Sequence, residues 1–300
     1  MIDSLTVLVS AFRGGGEPCV RARIAGLDAL VAAPSGGAGP VVVYANAATP
    51  RGVDEPAVGH LLGGLARAGY FAVAPELPCV RRGEVTPRTV EALVAVASAS
   101  GRRVALVGAS TGAGLVIIAA ADPRIAERVT AVTSIAPFGS LREVLRIGTT
   151  GHYRGRPFAA APLVGVAAAR SLAASAPDDA AVTALLANSD PARFDDLYAA
   201  LAPSTRALMN ELSPLTRIAD VRAPVEILSS PDDPFFPVDE ALALAAAGRD
   251  VRLTVTPALE HVQPRRRPGL VRVAAALDRT LRRADDDERL RPALRPSPAL

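Results

Sequence analysis

Gly108-Ala109-Ser110-Thr111-Gly112 sets a serine between two glycines in the middle of an apolar run that begins at Val104. A serine hydroxyl is a weak nucleophile, so acyl chemistry at this residue needs a base to take its proton and a third group to orient that base. Histidine is scarce: His60, His152 and His261 are the only three. In chains that carry a GxSxG turn, the base follows the acid, which in turn follows the serine. That order requires a carboxylate at the end of a late strand and a histidine in a loop near the C-terminus. Val225-Glu226-Ile227-Leu228 reads as the strand, Asp232 and Asp233 follow its Ser-Ser-Pro turn, and His261 lies in the loop after the next strand, which starts at Val251.

Two other readings of the serine stretch fail on the residues themselves. Between Arg103 and Asp122 lie 18 uncharged residues, just enough for a membrane-spanning helix. Its first half, however, is dominated by β-branched residues and Gly108, and Ser110 and Thr111 interrupt it. Strand, tight turn and buried helix fit better. A phosphate-binding loop needs a lysine before its final serine or threonine, and Gly-Ala-Ser-Thr-Gly-Ala-Gly has none. What remains is a serine on a sharp strand-to-helix turn. Small neighbours two positions away let the two elements approach, and the backbone strain lifts the hydroxyl above the sheet.

The elements that must hold these groups alternate between strand and helix. Strands are expected from Arg21, Leu27, Val41, Phe71, Arg102, about Thr130, Val225 and Val251; helices are expected from Asp54, Thr86, Val238 and Pro268. Apolar strands interleaved with amphipathic or alanine-rich helices imply a mostly parallel, twisted sheet covered on both faces, an α/β architecture. About eighty residues separate the strand near Thr130 from the Val225 strand, far more than one crossover helix uses. They read as several helices broken by proline and glycine.

Composition closes off other classes. Half of the 300 residues are hydrophobic and 21% are charged, which suits one large core. All 33 basic residues are arginine, scattered apart from Arg265 to Arg267, and aromatic residues make up only 4%. A nucleic-acid surface would gather basic residues on one face with aromatics between them, so no nucleic-acid partner is expected. Cys19 and Cys79 show no metal-ligand spacing and read as free thiols of a reducing compartment. The short apolar run from Leu5 follows Asp3 where a secretory signal would carry basic residues. A cytoplasmic protein with no membrane span, no metal and no cofactor is expected.

With its three motifs in this order, the chain resembles the α/β-hydrolase superfamily over roughly residues 21–283. The resemblance implies a sheet core formed by residues 1–140 and 213–284, a helical cap inserted at 141–212, and a flexible tail from 285. It implies Ser110 as nucleophile and His261 as general base and then acid. Of the two adjacent aspartates it points to Asp233, three positions after Ser230, as the group that orients the imidazole; Asp232 is the weaker candidate, and either also suits a turn. An oxyanion would be held by the backbone N–H of Thr111, at a helix start, and by one from the loop after the third strand, Ala48 by register. That loop departs from the usual pattern, because Ala47 stands where glycine is common and alanine resists positive φ. Asn46 offers a side-chain amide, though asparagine at a strand end is more often a turn former.

Phe235 and Phe236 after the acid suit a pocket wall or core packing, His152 and Tyr153 suit a loop, and His60 has no local carboxylate partner. The implied activity is hydrolysis of a carboxylic ester or related acyl bond of a small or medium apolar substrate. Acyl transfer on the same three groups, and a non-catalytic ligand-binding protein of the same fold, stay open as alternatives.

Overall fold

The computed structural model describes residues 15–37, 39–175, 179–265 and 269–290, together with Val7. Most of the apolar run from Leu5 lies outside these residues, as do residues 291–300. Eight strands form one sheet: β1 (Val20–Ile24), β2 (Leu27–Ala32), β3 (Val41–Ala45), β4 (Phe71–Pro75), β5 (Val104–Ala109), β6 (Val129–Ile135), β9 (Val225–Ser229) and β10 (Val251–Val255). Their spatial order is β1-β2-β4-β3-β5-β6-β9-β10, with β2 antiparallel to both its neighbours and every later pairing parallel. Two-residue strands make two small hairpins, β7–β8 (His152–Tyr153 with Arg156–Pro157) and β11–β12 (Leu259–Glu260 with Gln263–Pro264).

Alternation along the strands builds two cores. Val41, Val43 and Leu106 face one layer, in which α3 (Pro87–Ala99), α4 (Thr111–Ala120) and α11 (Val238–Ala247) pack; Val42, Tyr44 and Val107 face the other, closed by α1 (Pro56–Arg67) and α12 (Leu270–Leu290). A strand buried on both faces must be apolar at every position, which is why β3 and β5 read as unbroken hydrophobic runs. All ten residues of α4 are buried too. This double burial explains the membrane-like stretch after Arg103, and among the described residues no helix is long and apolar enough to cross a membrane.

Several boundaries differ from those expected. The helix read from Asp54 starts at Pro56, because Gly52–Asp54 form a separate 3-10 turn that leaves Glu55 as the capping residue. A four-residue helix, α2 (Pro78–Arg81), follows β4. The last helix runs through Leu290, six residues into the segment read as tail, since the chain from Ala284 to Leu290 contains no proline or glycine to stop it. Val273, Leu277 and Leu281 face the core from it, and Arg279 forms a bidentate pair with Glu226 of β9, 2.6 and 2.7 Å. Cys19 and Cys79 are free thiols.

Between β6 and β9 the chain forms α5 (Leu141–Thr150), the β7–β8 hairpin, α6 (Pro162–Ser175), α7 (Ala180–Leu186), α8 (Phe194–Ala199), α9 (Pro203–Glu211) and α10 (Pro214–Arg217). The entry to this segment is fixed by Glu240, a buried carboxylate on α11 that accepts the N–H groups of Gly139 and Ser140 and the hydroxyl of Tyr153. Burial pushes its carboxyl above the usual range. α5 and α6 cross where Gly148 faces Gly165: a Cβ at Gly148 would lie 2.7 Å from the Gly165 Cα.

Candidate active site

Three loops at the carboxyl ends of β5, β9 and β10 meet. This is where open parallel sheets place their binding crevices. Ser110 follows β5 with φ 53° and ψ −118°, a conformation that non-glycine residues adopt only under local strain. Its N–H donates to the Ile135 carbonyl (2.8 Å) and its carbonyl accepts from Ala113 (2.9 Å), so strand and helix hold the turn from both sides.

The flanking glycines are required by contact. A Cβ at Gly108 would sit 2.3 Å from the Gly112 carbonyl oxygen, and one at Gly112 would sit 2.2 Å from the Ala45 carbonyl oxygen. Both neighbours are backbone, which cannot swing aside. Gly112→Ala is therefore expected to lower unfolding stability by about 1–3 kcal/mol, read from denaturant melts beside the parent protein. An unchanged midpoint would show that the turn is looser than these contacts require.

The structure brings Ser110, Asp233 and His261 together. Nε2 of His261 lies 2.7 Å from the Ser110 hydroxyl, and Nδ1 lies 2.8 and 3.1 Å from the two Asp233 oxygens. All three residues are buried. Asp233 is itself held in place, because its Oδ1 accepts the backbone N–H groups of Phe235 (2.8 Å) and Phe236 (3.1 Å). The imidazole also packs against the rings of the same two residues, with Phe235 stacked at 4.2 Å and Phe236 edge-on at 5.7 Å. His261 also carries a positive φ of 53°, in the left-handed region that non-glycine residues seldom adopt. Asp232 is exposed and takes no part in this chain of bonds.

The loop after β3 is ordered by its own side chains. Asn46 donates its amide to the Gly52 carbonyl (2.8 Å) and accepts from the Ala47 N–H (2.8 Å) and the Tyr44 hydroxyl (3.3 Å). Glu76 accepts from Val53, and a Cβ on Gly52 would strike its carboxylate at 2.5 Å. Ala47 is not among the positive-φ residues, so the loop takes a shape that alanine tolerates. Its N–H is spent on Asn46, and the Asn46 amide is spent on Gly52. Thr111 and Ala48 both line the cavity that opens beside Ser110, and neither N–H has a partner among the described hydrogen bonds.

That cavity has a volume of about 700 Å³, within the range of small-molecule sites. Its floor is formed by the strand ends and the Ser110 turn, one wall by α1 with Val58 and Leu61, and its roof by α6 with Leu163, Val164 and Ala168. Phe235 lines it as well, beside the imidazole. His152 and Tyr153 do not reach it: His152 bonds the Thr150 carbonyl and Tyr153 bonds Glu240. His60, half-buried on α1, is not among the lining residues either. Among the described residues no group of acidic, histidine or cysteine side chains is arranged to hold a metal.

No protein-family model matches the chain, and no curated protein is similar to it in sequence. Solved structures are similar in fold. Est1E from Butyrivibrio proteoclasticus superposes with a TM-score of 0.57 at 14% identity, over 89% of this chain and 99% of that one. The 2-hydroxy-6-oxo-6-phenylhexa-2,4-dienoate hydrolase from Rhodococcus sp. strain RHA1 does so with 0.51 at 17% identity, over 88% and 99%. The acylaminoacyl peptidase of Pyrococcus horikoshii matches with 0.52 at 16% identity, over 82% of this chain but only 37% of the peptidase. Together with the mostly parallel eight-stranded sheet, these likenesses show that the chain has the α/β-hydrolase fold.

Proposed function

We propose that the chain is a serine hydrolase that cleaves a carboxylic ester or related acyl bond through an acyl-enzyme on Ser110. The observation that carries this reading is the continuous run of hydrogen bonds from Asp233 through His261 to the Ser110 hydroxyl at the edge of an apolar cavity. In this reading His261 takes the Ser110 proton as the hydroxyl attacks the acyl carbon, then passes it to the departing alkoxide. Asp233 holds Nδ1–H and steadies the imidazolium. The negative oxygen of the tetrahedral intermediate is received by the N–H groups of Thr111 and Ala48, the first of them at the positive end of α4. A water activated by the same imidazole then releases the acid.

Residues 141–212 act in this proposal as a cap. The α6 helix roofs the cavity with aliphatic side chains, which suits an apolar acyl group and limits water around the reacting carbonyl. A fluorophosphonate probe tests the nucleophile. The expected result is covalent labelling of the intact protein that disappears in Ser110→Ala, and a wild-type protein that resists labelling would overturn the reading.

Chain length tests the pocket. Across p-nitrophenyl esters from acetate to decanoate, kcat/KM is expected to rise up to a medium-length acyl group and then fall, each buried methylene contributing about 0.8 kcal/mol until the cavity is full. A flat profile would show that the acyl group does not enter this cavity.

A further inference from the structure

Among the described residues that line the cavity, the charged side chains other than His261 are two carboxylates, Glu55 and Glu260. None of the chain's 33 arginines faces it among those residues. Glu260 is neutralised by a salt bridge to Arg265. Glu55 has no such partner: one of its oxygens accepts the Thr49 hydroxyl at 3.1 Å, and no ion pair reaches it among the described residues. Arg21 pairs with Asp54 and Arg81 donates to the Pro50 carbonyl, while Arg51, on the same loop, is exposed and not among the cavity's lining residues.

The position of Glu55 is well fixed. Its N–H donates to the Gly52 carbonyl at the end of the 3-10 turn, and its carbonyl accepts Val58 in the first turn of α1. The Thr49 hydroxyl holds the carboxylate on the same loop that carries Ala48. Val58 and Leu61 of α1 continue the wall beyond it. A carboxylate with no ion pair among the described residues thus stands at a defined place in a lining that also holds Asn46, Thr49, Val58 and Leu61, with the other lone pairs of its two oxygens open to a donor.

We infer that Glu55 is a specificity-determining residue, and that the preferred ligand joins an apolar body to a cationic amine, received by the Glu55 carboxylate, while anionic ligands are rejected. The inference deepens the hydrolase reading by assigning the charge of its substrate, but the cation site stands or falls by itself. A carboxylate facing an ammonium in a partly dehydrated cavity forms a charge-assisted hydrogen bond, stronger than a neutral one. An anionic ligand would meet like charge with no compensating cation.

Benzylammonium, anisole and benzoate share an aromatic body and differ in charge, so equilibrium titration with each, followed by calorimetry, isolates the effect. In the wild-type protein benzylammonium is expected to bind about tenfold more tightly than anisole, with benzoate weakest. In Glu55→Gln, which keeps the size and the Thr49 acceptor, the ratio of benzylammonium to anisole affinity should fall toward one. Circular dichroism melts of the variant check that it is folded. Equal affinities in the wild type, or a preference that survives in Glu55→Gln, would overturn the inference. Fluorophosphonate labelling separates the two readings: a labelled protein whose cation preference ignores Glu55 loses only the specificity claim, and an unlabelled protein with a Glu55-dependent preference loses only the hydrolase claim.

Discussion

Ser110→Ala is expected to lower kcat about 10⁶-fold on any ester the protein turns over, with KM little changed. In the proposed mechanism removing Oγ eliminates the covalent route altogether, while the cavity and the N–H groups of Thr111 and Ala48 stay in place. A residual rate above that in water should persist, because oxyanion stabilisation and binding survive the loss of the nucleophile. The substitution is sterically mild. Its fold can be checked by thermal melts, so that a dead variant is not mistaken for an unfolded one. Steady-state kinetics with freshly purified protein measures the effect; a loss of less than a hundredfold would mean that another group attacks the substrate.

Asp233→Asn should lower kcat about 10⁴-fold, for a reason visible in the hydrogen bonds. In the parent protein one Asp233 oxygen accepts from Phe235 and Phe236, and both lie within reach of Nδ1 of His261. An asparagine would turn its carbonyl oxygen to the two backbone N–H groups and so present its amide NH₂ to Nδ1. Nδ1 must then be the acceptor, and the ring proton moves to Nε2, which faces the Ser110 hydroxyl at 2.7 Å. An imidazole in that tautomer cannot take the serine proton. Asp232→Asn serves as the control, since Asp232 is exposed and outside this chain of bonds; its kcat should stay within about twofold of the parent. Equal losses in the two variants would show that the tautomer argument is wrong.

How much of this was legible in the sequence differs from residue to residue. Ser110 is readable because a serine between two glycines after an apolar strand marks the turn: the glycine at 108 is dictated by the backbone of Gly112 and Ala113 a few residues on, whereas the one at 112 is dictated by the Ala45 and Asn46 carbonyls of β3 and its loop, distant in the chain. Asp233 and His261 lie 123 and 151 positions beyond Ser110; their order along the chain points to them, and the choice of Asp233 over Asp232 comes from its spacing from Ser230, which the resemblance supplies. What holds Asp233 against the imidazole, the two N–H groups of Phe235 and Phe236, is not legible in the sequence. The parallel sheet was plain because doubly buried strands must be apolar throughout.

The loop after β3 was not readable in the same way. Its shape depends on how the Asn46 side chain divides itself between Gly52 and Ala47, and on Glu76 arriving from β4. Glu55 is not legible in the sequence, because a glutamate ahead of a helix is ordinary; what sets it apart is its place in a cavity whose described lining contains no arginine. The continuation of α12 to Leu290 was missed because a charged, proline-containing ending resembles a tail, although the prolines begin only after the helix has closed.

The roof helix is tied to the rest of the molecule at more than its own ends. Near its start, the Ala161 N–H donates to the Pro234 carbonyl beside Asp233; near its finish, Ser171 accepts the Val85 N–H and Arg170 donates to the Arg82 carbonyl. Residues 78–85 thus belong with residues 141–212 as one transplantable cassette. A chimera that moved the helical segment onto another scaffold of this fold without that companion stretch would lose the Val85 N–H that Ser171 accepts and the Arg82 carbonyl that Arg170 donates to, and the transplanted helix would settle at a different height over the cavity.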